Sequence, residues 1–267
     1  MAISLASLQR STRIDPPKIV IYGVNGIGKT TFAAMSPKPV FILTEKGLGK
    51  LEVTHFPPAE SYEEVLGALN SLLNEEHDFQ TVVIDSIDWL EHLVFLKVCK
   101  DHGVNSIEKV EKGFGKGYTI AQDVFFELTR LLDKLNEQKK MAIVLVGHAL
   151  VKKFDAPDTE SYDRYRLDMN DKSASVIKDW CDVILFANYK VYTKSEDAGF
   201  NKTSHKGLGG DERVLYTEER PAFWAKNRYG LPFELPLSWQ SFATAMSSSC
   251  APVVKQESQQ VEQKQEG

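Results

Sequence analysis

The sequence predicts an α/β fold in which a central, mostly parallel sheet is flanked by helices and extended by antiparallel strands toward the C-terminus. Three observations carry this reading. Short, near-continuous apolar runs recur along the chain, and segments with helical spacing of apolar residues lie between them. Runs without polar alternation belong to strands covered on both faces, the situation of a parallel sheet. Beyond residue 188, strand-like pieces broken by glycine and charge suggest antiparallel pairing.

Residues 1–17 read as a polar arm closed by Pro16 and Pro17, neither of which can donate a ladder hydrogen bond. The strand candidates are KIVIY at 18–22, PVFIL at 39–43, TVVID at 81–85, MAIVLVG at 141–147 and DVILFA at 182–187. Tyr62, Val65, Leu66, Leu69, Leu72 and Leu73 form one apolar stripe at helical spacing; Val124, Phe125, Leu128, Leu131, Leu132 and Leu135 form another. Both are most simply faces turned to the core. YKVYT, RVLYT and AFWAK supply the antiparallel extension, and no internal repeat is visible. Residues 18–246 make up one expected domain. The segment 247–267 is rich in Ser, Gln, Glu and Lys, cannot offset its ordering entropy, and is expected to be disordered.

With 267 residues, 42% of them hydrophobic, the chain can bury a sizeable single core. Its formal net charge of −5 excludes recognising a nucleic-acid binder from bulk charge, so any polyanion contact must be local. Cys99, Cys181 and Cys250 are odd in number and lack metal-ligand spacing, which points to core or surface thiols in a reducing compartment. The N-terminus has no sustained apolar run, and no segment approaches the roughly 20 apolar residues that span a bilayer. The expectation is a cytoplasmic protein without a membrane partner.

Chemistry is most sharply written at residues 23–31, GVNGIGKTT, between the first strand candidate and a helix. Gly23, Gly28, Lys29 and Thr30 fit GxxxxGK[ST], in the strand–loop–helix context that the phosphate-binding P-loop requires. Glycines at 23, 26 and 28 let backbone N–H groups curl round a β-phosphate without Cβ clashes, and the helix N-terminus adds a favourable field. The cradle therefore comprises Gly23, Val24, Asn25, Gly26, Ile27, Gly28, Lys29, Thr30 and Thr31. Lys29 is expected to neutralise β/γ oxygens of ATP, and Thr30 to offer its hydroxyl to Mg²⁺.

Asp85 ends the strand TVVID, which places a carboxylate at the C-terminal sheet edge where ligands bind in α/β folds. It can hold the Mg²⁺ water shell, or cap the following helix. Asp88 and Glu91 on that helix are expected to face solvent. No glutamate follows Asp85 directly; Glu45, just past the strand 39–43, is the carboxylate that could polarise a water in line with a γ-phosphate, unless it is an exposed loop acid.

The order P-loop, FILTEKGL, TVVIDS, IVLVGHALVKKF and AFWAKNRYGLPFEL, over roughly residues 18–240, resembles the ATPase core of RecA-type recombinases, including the small phage-encoded RecA-core proteins of the Sak-type single-strand annealing group. The resemblance implies a sheet ordered 5-1-4-3-2 and a water-activating role for Glu45. It implies a γ-phosphate sensor at His148, where the family usually has glutamine; histidine can still donate, but with a pH-dependent charge. Lys226 and Arg228 match paired basic residues that reach a neighbouring subunit's ATP, acting as arginine-finger-like charges, or else they form a solvated basic turn. The resemblance also implies a homo-oligomer, ring or filament, with ATP at its interfaces.

Two loops would contact single-stranded DNA in that family. In VEKGFGKGYT, Lys112, Phe114, Lys116 and Tyr118 alternate with glycines, combining phosphate charge with stacking platforms on a pliable backbone. The second, KKFDAPDTESYDRYR, carries Lys152, Lys153, Arg164 and Arg166, although its acids dilute the field. The implied function is ATP hydrolysis coupled to single-stranded DNA in phage-type recombination or annealing, alongside a single-strand-binding protein, in an infected or prophage-carrying bacterial cell. A small-molecule or nucleotide kinase and a non-hydrolysing helicase-loading or recombination mediator remain alternatives; a P-loop alone does not separate them.

Overall fold

The computed structural model describes Ser4, Leu8 and residues 15–157, 160–197 and 203–249, with side chains omitted from 191–209. In chain order its elements are β1 (Lys18–Gly23), α1 (Lys29–Ala34), β2 (Pro39–Leu43), α2 (Tyr62–Asn74), β3 (Thr81–Asp85), α3 (Ile87–Asp101), α4 (Lys116–Gln138), β4 (Ala142–Phe154), β5 (Tyr162–Leu167), α5 (Asp171–Trp180), β6 (Val183–Asp197), β7 (Thr203–Tyr216), β8 (Lys226–Asn227), β9 (Glu234–Pro236) and α6 (Trp239–Ser249). A 3-10 turn, Ile107–Lys112, precedes α4.

The sheet runs β2-β3-β4-β1-β6-β7-β9. Its first five strands are parallel, and β7 and β9 continue it antiparallel. Counting β6 as the fifth core strand, the order is the expected 5-1-4-3-2. Alternation explains the apolar runs. Val20, Tyr22, Val40, Ile42, Val82, Ile84, Ile143 and Leu145 join the core layer beneath α2 to α5, whereas Ile19, Ile21, Phe41, Val83, Val144 and Val183 join the layer containing Phe32 of α1 and Phe242 of α6. With both faces covered, the central positions of these strands are apolar, and polar side chains fall at their ends, Lys18, Thr81 and Asp85.

Two strands outrun the expected runs. β4 is buried through Gly147 and then exposed, because its outer half leaves the covered sheet and pairs only with β5. The basic segment 152–166 is therefore largely the hairpin of β4 and β5, not an irregular loop; its backbone groups are satisfied by Lys152↔Arg164 and Val151↔Tyr165 pairing. AFWAK contributes only the short β8 and a bridge at Phe223. The chain enters β1 with Pro16 and Pro17 already docked, their carbonyls accepting from Asn136 Nδ2 and Ile143 N. At the other end α6 extends to Ser249, three residues into the segment expected to be disordered; 250–267, with Cys250, lie outside the described residues. Cys99 and Cys181 are buried.

Candidate functional site

Parallel pairing aligns Gly23 at the end of β1 with His148 of β4, and Asp85 at the end of β3 with Val146. The chemistry of these strands therefore converges on one C-terminal edge. Gly23 is there for close approach: a Cβ would stand 2.1 Å from the carbonyl oxygen of Ala187 on β6. Gly26 and Gly28 are there for conformation, with φ of 73° and 112°. Ile27 is fully buried and pins the loop, while Asn25 and Thr31 remain exposed.

Lys29 is buried, and its Nζ donates to the carbonyls of Gly23 and Val24 at 3.0 and 3.1 Å, so it points back across the loop. Burial lowers its pKa, opposed by the charges of Asp85, Asp88 and Glu45. Burial pushes the Asp85 carboxyl above the usual aspartate range, and a hydrogen bond from Thr30 and the charge of Lys29 work against that rise. A hydroxyl and a carboxylate meeting beside a lysine suit Mg²⁺, which takes one or two protein oxygens and fills its shell with water and phosphate. Among the described residues no cluster of three or more His, Cys, Asp or Glu offers an all-protein metal cage.

Glu45 is carried to this edge by Thr44, whose Oγ1 donates to the Ser86 carbonyl at 2.6 Å and accepts from Ser86 N at 2.9 Å, stitching the segment after β2 to the end of β3. Glu45 Oε1 lies 4.0 Å from His148 Nε2. Burial raises the Glu45 pKa, and the nearby His148 opposes the rise. The five residues Lys29, Thr30, Glu45, Asp85 and His148 thus stand together at one edge of the sheet.

Asp88 and Glu91 depart from expectation. Asp88 Oδ2 lies 2.9 Å from His148 Nδ1, and the Glu91 carboxylate accepts from Asn170 N at 3.0 and 3.2 Å. One turn apart on α3, both turn inward onto β4 and the start of α5, where backbone and ring donors compensate their burial. Arg213 of β7 is a further residue that sequence reasoning missed. Its Nη1 donates to the Ile27 carbonyl at 3.2 Å, and with Gly28, Thr31, Met35 and Trp239 it lines a cleft of about 430 Å³ beside the P-loop. No spacing in the sequence links Arg213 to a loop 186 residues away.

Lys226 and Arg228 stand elsewhere. Lys226 and Asn227 pair with Ile184 and Val183, at the sheet edge opposite Gly23. Lys226 Nζ donates to the carbonyls of Lys178 and Asp179, and Arg228 to Asp182 Oδ1 at 3.0 Å. Both therefore serve the C-terminus of α5, whose last carbonyls lack helical donors and attract cations.

The two basic segments differ. Around the first, Glu111, Lys112, Gly113, Phe114 and Gly115 all have positive φ, between 53° and 95°, and Phe114 is 100% exposed. Lys112 and Lys116 are exposed as well, whereas Tyr118 is half-buried with its ring edge-on to Phe95, so it is no free platform. In the second, Arg164 is buried, paired with Glu219, and set over the Phe154 ring. Arg166 and Lys152 both pair with Asp171, and Arg166 also covers Trp224. The acids of this segment and its neighbours consume the charge, leaving Lys153, 3.8 Å from Asp155, as its most open cation.

A parallel sheet with a P-loop at the end of its first strand and an aspartate at the end of its third defines a P-loop NTPase-type domain. Residues 15–229 match the family described as AAA domain, and the chain belongs to that family. The chain is also similar to an "SPbeta prophage-derived uncharacterized protein YorG" of Bacillus subtilis (strain 168), 26% identical over 157 residues. That match spans about half of each chain, 56% of this one and 47% of the relative. Among the described residues, no helix is long and apolar enough to cross a membrane.

Proposed function

We propose that this protein hydrolyses Mg²⁺-bound ATP and couples that hydrolysis to single-stranded DNA in phage-type recombination or annealing, in the manner of a RecA-like core. The observation that carries the ATPase half is the meeting of Lys29, Thr30, Asp85, Glu45 and His148 at one sheet edge, with Glu45 and His148 4.0 Å apart. Lys29 would hold phosphate oxygens, Glu45 would take a proton from the attacking water, and His148 would report the γ-phosphate to β4 and its hairpin. Mg²⁺ held by Thr30 and Asp85 would neutralise charge on the bridging phosphate oxygens.

The DNA half is supported by Phe114, fully exposed between two exposed lysines on a left-handed run. Each non-glycine residue there costs roughly 1–2 kcal/mol of backbone energy, and such strain concentrates at functional loops. The similarity to a prophage-derived protein agrees with a phage setting in the bacterial cytoplasm. The proposal includes self-association with ATP at subunit boundaries, and an accompanying single-strand-binding protein. In such an assembly Lys226 would exchange its carbonyl partners, and Arg228 the Asp182 carboxylate, for a neighbour's nucleotide.

ATP turnover with and without single-stranded DNA, at low and high salt, tests the reading. Stimulation is expected for the wild type and to weaken as salt rises. Lys29→Ala and Glu45→Gln should abolish turnover; Phe114→Ala should keep basal turnover and lose stimulation. Turnover indifferent to DNA sinks the DNA half.

One observation favours the kinase reading. A cleft of about 430 Å³ opens beside Glu45, lined by Lys46, Pro58, Glu60, Trp89 and His92, a size that admits a small phosphoryl acceptor. A phosphorylated small-molecule product in place of free phosphate would establish that reading instead.

A further inference from the structure

His148 stands where β4 leaves the covered sheet, level with Gly23, and its ring is engaged on both sides. Nδ1 lies 2.9 Å from Asp88 Oδ2, and Nε2 lies 4.0 Å from Glu45 Oε1. Asp88 holds the same residue a second time, because its Oδ1 accepts the His148 backbone N–H at 3.1 Å. Both oxygens of one carboxylate thus fix the backbone and the ring of one strand residue. Its side chain is only 12% exposed, unlike a solvated acid in the first turn of a helix. The preceding residue makes room for this grip. A Cβ on Gly147 would stand 2.3 Å from Leu167 Cδ1 and 3.1 Å from Ile87 Cγ2, so any larger side chain there would force both of these to shift beside Asp88.

We propose that Asp88 is a positioning residue for hydrolysis: by binding both the backbone N–H and Nδ1 of His148, it holds the imidazole with Nε2 facing Glu45 and the phosphate cradle. The inference rests on the reading of Glu45 and His148 as the hydrolytic pair. An imidazole free to rotate about its side-chain bonds would present either nitrogen or neither. A ring tied at Nδ1 presents Nε2 alone, and turnover depends on such placement more steeply than binding does. The charged groups around the ring are Asp88 on α3, Glu45 after β2, Asp85 on β3 and Lys29 on α1. The Asp88 bond holds the imidazole above its ordinary pKa, while burial and Lys29 oppose that rise.

The test compares wild type, Asp88→Asn, His148→Gln and the double variant by ATP turnover, by binding of a fluorescent ATP analogue, and by the ring ¹⁵N–¹H resonances of His148. Asp88→Asn should lower kcat by about tenfold, leave analogue affinity within about twofold, and shift the Nδ1 resonance. On the His148→Gln background, which has no ring to hold, Asp88→Asn should change kcat by less than about twofold. Wild-type kcat in Asp88→Asn, or losses that multiply in the double variant, would overturn the proposal. If the wild type itself hydrolyses nothing, the hydrolytic reading falls separately. The ring spectrum then decides alone: a shifted Nδ1 signal in Asp88→Asn supports the grip of Asp88 on the ring, and an unchanged one overturns it.

Discussion

A methyl group added at Gly23 would have nowhere to go, since the Ala187 carbonyl lies 2.1 Å from its position and belongs to the neighbouring strand's backbone. Gly23→Ala is therefore expected to destabilise the fold by several kcal/mol, seen as a lowered denaturant midpoint, because β1 and β6 cannot part without breaking their ladder. Gly26→Ala meets open space and costs only the strain of its φ of 73°, roughly 1 kcal/mol. Equal losses in the two variants would contradict this assignment. The same contrast shows what was legible at this scale. Residues 23–31 were readable because the loop's chemistry is local: consecutive residues make one cradle. Asp88 and His148 are 60 residues apart, and no spacing announces that they meet. The apolar strand before Asp85 marked that aspartate, whereas an acid in the first turn of α3 looks like any helix-start acid.

Among the elements, α3 carries the sharpest consequence of burial. Glu91 is pushed up to about 7 by burial, against the hydrogen bond it accepts from Asn170 N. The folded state therefore keeps a proton that the unfolded chain releases at the usual glutamate pKa. Over that interval the folded protein binds more protons, so stability falls as pH rises toward about 7 and is flat above it. Glu91→Gln, which keeps an oxygen to accept from Asn170 N, should remove the share of this slope that Glu91 contributes. By urea denaturation it should be more stable than the wild type by on the order of 2 kcal/mol near pH 8, and equal to it near pH 5. A wild-type profile that rises over this range would refute the assignment. Legibility at this scale followed coverage. PVFIL and TVVID match β2 and β3 residue for residue because both their faces are buried. The outer half of β4 escaped detection because LVKKF has no period once the sheet's second layer ends. α5 and α6, at 10 and 11 residues, are too short for their apolar positions to be told from strand or turn segments by spacing alone.

At the scale of the molecule, the two core layers meet at a single sheet, and the edge that would bind nucleotide is built from β1, β3, β4 and the segment after β2. Ligand contacts spread over these elements stabilise all of them together, because unfolding any one releases the ligand. At 100 times its dissociation constant, Mg²⁺-bound nucleotide is expected to add about 2.7 kcal/mol, which for a domain of this size raises Tm by roughly 5–10 °C. Magnesium should matter because Asp85, Asp88 and Glu45 crowd negative charge around the buried Lys29, and the nucleotide's phosphates would add more. Chelation with EDTA should therefore remove most of the shift while nucleotide alone retains little of it. Lys29→Ala should show no shift with or without magnesium while melting near the wild-type temperature, since the lysine bonds only to its own loop's carbonyls. A wild-type protein whose melting ignores Mg²⁺-nucleotide would remove the nucleotide from this edge, and with it the roles of Glu45, His148 and Asp88.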